Sequence, residues 1–225
     1  MELFVHETPK EVAQAVSATV SESINSADKR YSLGLAGGST PELTYGELLG
    51  TATDWTKVTA WLADERWVPL DSDQSNGLMA ARTLFDHVPA QLVRPDWDTN
   101  LTPEESAARY GRFLKDLHAK SGPDMVLLGM GADGHTASLF PRSVALDETR
   151  HRYVANTIPE TGEVRLTATY RLLRTAERIV FMVVGQAKAK ALKASLAGES
   201  PAGKVDGTNT KVEWHVDRAA ASLVS

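Results

Sequence analysis

The hydrophobic residues of this chain recur with two different spacings. Val12, Val16, Val20 and Ile24 are four residues apart, which predicts the buried stripe of an amphipathic helix. That helix is expected to begin at Thr8, which is followed by a proline at the first helical position. Three further helices are predicted. Two begin with a capping residue followed by a proline, one from Ser39 and one from Thr102 to Gly122. The third follows a glycine and extends from Gly185 to Leu196.

Short apolar runs lie between these helical patterns and are typical of buried strands. They are residues 31–36, 58–63, 125–129, 178–184 and 212–216. Strands that alternate with helices favour a Rossmann-like α/β fold, with a mostly parallel twisted sheet and helices on both faces. A chain of this length fits one large domain or two small ones, and an α/β domain of this size can bury a sizeable core. We expect residues 1–225 to form a single domain. The loosest stretch, residues 198–207, is predicted to be a surface loop.

Polar or glycine-rich segments follow four of the predicted strands. They are residues 37–40, 64–66, 129–135 and 185–188. In a parallel sheet the ligand binds beyond the carboxyl ends of the strands. We therefore expect these segments to border one crevice.

The first of these segments combines Gly37 and Gly38 with Ser39 and Thr40. Glycines let the backbone approach an anion closely, and the start of the following helix offers unpaired N–H groups. The segment matches neither the phosphate loop of nucleotide hydrolases nor a dinucleotide-binding fingerprint. By itself it is equally compatible with phosphate binding and with an ordinary tight turn before a capped helix.

Charged side chains are predicted at the same edge of the sheet. Asp64, Glu65 and Arg66 directly follow an apolar strand, where a guanidinium can bind an anion and carboxylates can hold sugar hydroxyls. Arg165 alternates with apolar residues and could point into the crevice. Lys188 lies in the first turn of a helix, where a cation is slightly unfavourable unless an anion binds. For residues 64–66 and for Lys188, a solvated surface charge is the alternative.

Residues 129–138 are the most informative stretch. Asp133 and His135 lie two residues apart in a segment that Gly129, Gly131 and Gly134 allow to turn tightly. A histidine held by a carboxylate is suited to act as a general base, because histidine titrates near pH 6.5. The three glycines also match G-x-G-x-x-G. That motif lies deep in the chain here, without an acidic residue at the end of a following strand, which disfavours a dinucleotide cofactor.

Composition excludes several classes of protein. Hydrophobic residues make up 42% and charged residues 24%, as in ordinary globular proteins. The absence of cysteine excludes disulfides and thiol nucleophiles and is compatible with a cytoplasmic location. The net charge of −5 argues against nucleic-acid binding, and no apolar run approaches the roughly 20 residues of a membrane span. No residues show metal-ligand spacing, so no metal is expected. The remaining histidines are expected to be packed or exposed: His6, His87, His118, His151 and His215.

Five motifs occur in order along the chain. They are G-G-S-T-P (37–41), D-E-R-x-V-P (64–69), S-N (75–76), G-M-G-x-D-G-H-T-A-S-L-F-P (129–141) and G-x-x-K-A (185–189). Together they resemble the 6-phosphogluconolactonases, which share a superfamily with the glucosamine-6-phosphate deaminases. The resemblance extends from the first helix to residues 214–221. The motif at 129–141 is long and specific, whereas G-G-S-T-P alone would be weak.

The resemblance implies hydrolysis of 6-phospho-D-glucono-1,5-lactone to 6-phosphogluconate in the pentose phosphate pathway, with no cofactor. It implies that His135 is the general base that activates water. It also implies that the phosphate is bound by Gly38, Ser39, Thr40 and Lys188. Further contacts to the anion would come from Arg66 and Arg165. The sugar would be contacted, or the base oriented, by Asp64, Asn76 and Asp133. The expected partner is the sugar-phosphate lactone, and the expected assembly is a monomer or a weak homo-oligomer.

Two rival functions belong to the same fold. An amino-sugar phosphate deaminase would carry a glutamate five residues after the histidine, where this chain has Phe140. A phenylalanine cannot transfer a proton, which disfavours ring-opening chemistry. Arg66 also stands where the deaminases tend to carry tyrosine. A non-catalytic sugar-phosphate sensor is disfavoured by the intact Asp133 and His135 and by the lack of a DNA-binding segment.

Overall fold

The computed structural model describes residues 1–224. In that range the strands are β1 Glu2–His6, β2 Tyr31–Leu35, β3 Val58–Leu62, β4 Asp64–Arg66, β5 Gln91–Val93, β6 Met125–Gly129, β7 Tyr153–Thr157, β8 Val164–Ala168, β9 Arg178–Val183 and β10 Lys211–Asp217. The α-helices are α1 Pro9–Ser26, α2 Ser39–Leu48, α3 Asn76–Ala80, α4 Pro103–Leu117, α5 Tyr170–Leu173 and α6 Ala189–Leu196.

A parallel sheet of seven strands forms the centre of the molecule. Its order is β1-β10-β9-β6-β2-β3-β5, and every neighbouring pair is parallel. The predicted α/β class and the mostly parallel sheet are therefore confirmed. A second, antiparallel sheet of β4, β8 and β7 lies beside it. This sheet was not predicted, because β4 consists of three charged residues, which have little strand preference.

The two faces of the large sheet bury two separate cores. Leu33, Leu62 and Leu127 point to one face, where they pack with the apolar stripe of α1 and with α2. Trp61 and Phe181 point to the other face, where α4, α6 and the small sheet cover them. Side chains alternate between the faces of a strand, so β3, β6 and β9 each contribute to both cores. The predicted helices on both faces are confirmed. Within residues 1–224, no helix combines the length and apolar character needed to cross a bilayer.

The structure corrects three local predictions. Helix α2 does begin at Ser39, but its N-cap is Gly38 and no side chain caps it, so the predicted Ser/Thr cap is wrong. Helix α4 begins after the predicted cap, Thr102, which forms a capping box with Glu105, but the helix ends at Leu117, before Gly122. A Cβ at Gly122 would overlap with the backbone carbonyl of Thr175. Glycine is therefore required there by a close approach of two backbone segments.

The third correction concerns residues 198–207, predicted to be a surface loop. Ser200, Ala202 and Val205 are buried. The N–H of Ala202 donates to the carbonyl of Gly134 at 2.9 Å. The segment therefore packs behind the loop that carries His135, and its polar, glycine-rich composition concealed this contact.

Candidate active site

Four strand ends meet at one cavity of about 310 Å³. The segments after β2, β3, β6 and β9 contribute to its wall, as expected for the carboxyl edge of a parallel sheet. Most of the predicted site residues line it: Gly37, Gly38, Ser39, Thr40, Asp64, Arg66, Asn76, His135 and Lys188. Asp133 and Arg165 do not line the cavity. Asp133 contacts His135, and Arg165 lies opposite Arg66 in the small sheet. The structure thus brings the predicted residues together, and their individual roles remain predictions.

The loop after β2 ends in a helix N-terminus that faces the cavity. Gly38 has a φ of +107°, a conformation that L side chains rarely adopt, which explains glycine at this position. A Cβ at Gly37 would overlap with the side-chain amide of Asn76, so this glycine leaves space for a second element of the site. Helix α2 offers its first N–H groups at this point, and Lys188 adds a cation to the same cavity. This arrangement suits a phosphate group.

Asp64 is a buried carboxylate in the cavity wall. Its Oδ2 accepts a hydrogen bond from the Ser138 hydroxyl at 2.7 Å, and its backbone carbonyl accepts one from Asn76 Nδ2 at 3.0 Å. Burial raises the pKa of Asp64, whereas the Ser138 hydrogen bond and the charge of Arg66 act in the opposite direction. Ser138 was not predicted as a site residue, although it lies inside the motif at 129–141.

Two arginines lie opposite each other in the small sheet. Arg66 in β4 pairs in register with Arg165 in β8. Arg66 donates to the carbonyl of Gln74 at 2.6 Å, and Arg165 forms an ion pair with Glu163 at 2.7 Å. Burial and the charge of Arg66 lower the pKa of Arg165. An anion bound near this pair would reduce the repulsion between the two cations.

The loop after β6 holds His135 in a defined orientation. The N–H of Gly131 donates to the carbonyl of His135 at 2.8 Å, and Gly134 turns the chain with a φ of +84°. A Cβ at Gly131 would overlap with the imidazole ring. The ring packs against Phe140, with 4.3 Å between the ring centroids. The glycines of the motif therefore serve a tight turn around the imidazole.

Asp133 determines which ring nitrogen of His135 can accept a proton. Its Oδ1 lies 2.6 Å from Nδ1 of the ring and also accepts the backbone N–H of His135 at 3.1 Å. Burial would raise the pKa of Asp133, but the hydrogen bonds and charge of His135 lower it overall. Because the ionised carboxylate only accepts, we assign the ring proton to Nδ1. Nε2 is then the nitrogen with a free lone pair.

Comparison with known proteins supplies the family. The family model for glucosamine-6-phosphate isomerases/6-phosphogluconolactonase matches residues 7–214. The chain belongs to this family.

Members of the family are similar to this chain over most of its length. The 6-phosphogluconolactonase of Haemophilus influenzae is 34% identical over 203 residues, which are 85% of this chain and 87% of that protein. The 6-phosphogluconolactonase of Nostoc sp. is 38% identical over 173 residues, 72% of this chain and 70% of that protein. The structure of 6-phosphogluconolactonase from Trypanosoma brucei has a TM-score of 0.87 at 28% identity and covers 100% of this chain and 98% of its own. The predicted membership is confirmed.

The deaminase branch of the family shares the fold. A monomeric glucosamine-6-phosphate deaminase has a TM-score of 0.84 at 23% identity, covering 99% of this chain and 100% of that one. A likeness of this kind does not separate the two activities, so the decision between them depends on the residues of the site.

Among residues 1–224, no three His, Asp or Glu side chains are grouped as metal ligands. The residues of the cavity instead form two chemical halves. One half, at the start of α2 and Lys188, suits an anion, and the other contains His135 and the carboxylate of Asp64.

Proposed function

We propose that this chain hydrolyses 6-phospho-D-glucono-1,5-lactone to 6-phosphogluconate, with His135 as the general base. Lactone hydrolysis is the activity that its relatives' names give, among them the 6-phosphogluconolactonases of Haemophilus influenzae and Rhizobium meliloti. By this relationship the chain is a lactone hydrolase. The observation that carries the proposed mechanism is the pair of His135 and Asp133 at the edge of a cavity whose other end suits a phosphate.

The reaction needs a positioned base and a positioned substrate. Nε2 of His135 takes a proton from water as the oxygen of that water attacks the lactone carbonyl carbon. When the tetrahedral intermediate collapses, the bond from this carbon to the ring oxygen breaks, and the imidazolium returns the proton to that oxygen. Asp133 stabilises the imidazolium between the two steps. No covalent enzyme intermediate is required, because a lactone is already an activated ester.

The phosphate group would hold the substrate at a distance from the reacting carbon. We assign its contacts to Gly38, Ser39, Thr40 and Lys188, with Arg66 and Arg165 at the margin. Binding energy from this remote group orients the carbonyl toward His135, which reduces the entropic part of the barrier. The family's second activity would need a proton-transferring group near the histidine. Phe140 packs on the ring of His135 instead, which favours the lactonase.

The test compares two histidines that are each held by a carboxylate. His135→Ala should lower kcat by roughly 10²- to 10⁴-fold with little change in KM, as expected for the loss of a general base. His151 contacts Glu148 at 3.2 Å but does not line the 310 Å³ cavity, so His151→Ala is a matched control that should keep its activity. Rates are measured on freshly made lactone, after subtraction of spontaneous hydrolysis. Near-native turnover of His135→Ala would exclude this base.

The compartment, assembly and domain organisation are further parts of the proposal. We place the reaction in the cytoplasm, supported by the absence of cysteine. A human relative, 35% identical over 168 residues, is named an endoplasmic bifunctional protein, so relatedness alone does not assign the compartment. We expect a single-domain monomer or a weak homo-oligomer. Cell fractionation and light scattering after size-exclusion chromatography test these points.

A further inference from the structure

Glu65 is a buried carboxylate that the proposed reaction does not use. Only 3% of its surface is exposed, and four donors converge on its two oxygens. Oε1 accepts the backbone N–H groups of Arg66 at 2.8 Å and Asn76 at 2.7 Å. Oε2 accepts the backbone N–H of Gly77 at 2.8 Å and the hydroxyl of Ser75 at 2.9 Å. The side chain therefore joins the end of β4 to the start of α3.

The four donors match an ionised carboxylate better than any neutral side chain. A carboxylate has acceptor sites for all of them, and three of the donors are backbone N–H groups that cannot reverse their role. A glutamine of the same shape would place an NH₂ group against at least one of these N–H groups. Burial raises the pKa of Glu65, and the N–H groups of Gly77, Arg66 and Asn76 oppose that rise.

This network ends at a residue that lines the cavity. The backbone of Asn76 is held by Glu65, and its side-chain Nδ2 donates to the backbone carbonyl of Asp64 and lies 3.4 Å from Asp64 Oδ1. The same amide occupies the space beside Gly37 in the loop before α2. Asn76 therefore touches both halves of the site.

We propose that Glu65 is a positioning residue for substrate binding, which acts through Asn76 to set the phosphate loop and Asp64 relative to each other. The inference rests on the proposed lactonase function. The four hydrogen bonds of Glu65 do not involve His135 or Asp133, so its effect should fall on KM rather than on kcat. It adds to the predicted site a residue that does not itself contact substrate.

A double-mutant cycle tests whether Glu65 acts through Asn76. Asn76→Ala should raise KM about five- to tenfold, the usual effect of losing a neutral hydrogen bond. Glu65→Gln should raise KM by a similar factor, with kcat within about twofold of the wild type. The KM of the double variant should lie within about twofold of the KM of Asn76→Ala, because the effects of two coupled residues do not add. Multiplication of the two single losses, or an unchanged KM in Glu65→Gln, would overturn the proposal.

A second buried carboxylate separates positioning from loss of stability. Glu213 is 1% exposed and pairs with Arg178 near the amino ends of β9 and β10, away from the cavity. Glu213→Gln should lower the melting temperature and leave KM unchanged. If Glu65→Gln does not fold, Glu65→Asp keeps the charge but retracts the oxygens, and it is judged by the same cycle. Absence of lactonase activity in the wild type would refute the proposed function. An active wild type in which the two substitutions affect KM independently would refute only the role of Glu65.

Discussion

The contact between Asp133 and His135 allows the charge of the carboxylate to be separated from its orienting effect. A single oxygen, Oδ1, accepts both the backbone N–H and the ring Nδ1 of His135. In an Asp133→Asn variant the amide oxygen must keep this position, because a flipped amide would point its NH₂ group at the backbone N–H. The ring therefore keeps its orientation and its tautomer, and only the negative charge is lost.

The size of the effect follows from this geometry. A hydrogen bond to a charged group contributes about 1.5–3 kcal/mol and a neutral one about 0.5–1.5 kcal/mol. The side chain of Asp133 is 45% exposed, so solvent screening favours the lower end of the difference, about 1 kcal/mol. We therefore expect Asp133→Asn to lower kcat roughly fivefold. Asp133→Ala removes the acceptor, frees the ring to change tautomer, and should lower kcat by about 100-fold or more.

The assay measures initial rates on freshly made lactone by coupling to the oxidation of 6-phosphogluconate, from about pH 5 to about pH 8. If Asp133→Asn and Asp133→Ala lower kcat by the same factor, the separation of charge from orientation is refuted. Full activity of Asp133→Ala would remove Asp133 from the site.

Three further predictions concern the anion, the rival activity and the stability of the fold. Lys188→Ala should raise KM about ten- to a hundredfold and weaken competition by inorganic phosphate, whereas Lys190→Ala, two residues on and exposed, should do neither. Glucosamine 6-phosphate should release no measurable ammonia, and deaminase turnover comparable to lactone hydrolysis would reverse the assignment. Burial lowers the pKa of His118 to about 4. Between about pH 4 and about pH 6.5 the native state therefore binds fewer protons than the unfolded chain. The free energy of unfolding consequently falls as the pH drops through this window. From about pH 7.5 to about pH 5 the wild type should lose about 2 kcal/mol more unfolding free energy in urea than His118→Gln, and equal losses would contradict this.

The loops after β2 and β6 were predictable because each combines local signals in a short stretch. Gly37 and Gly38 directly follow an apolar strand, and Asp133 lies two residues from His135. A general rule of parallel sheets then places such loops at one edge. The position of the cavity required no knowledge of long-range contacts.

Other features depend on contacts between distant segments, which a local pattern does not contain. Gly122 has the appearance of a helix end, but the backbone of Thr175 makes glycine necessary there. Glu65 has the appearance of one charge in a solvated loop, and its function as a buried acceptor emerges only when residues 75–77 fold against it. In both cases the partner lies at least ten residues away.

The pairing of β1 with β10 has a consequence for how the chain can fold during synthesis. Glu2 is in register with Glu213 and His6 with Asp217, so the first strand depends on the last. While the nascent chain emerges from the ribosome, residues 2–6 cannot form this pairing until residues 213–217 have been made. Closing so long a loop is slow, and unpaired strand edges promote aggregation before it closes. The pairing of β1 with β10 is therefore a late step of folding. A chaperone that binds residues 2–6 would act before this pairing forms.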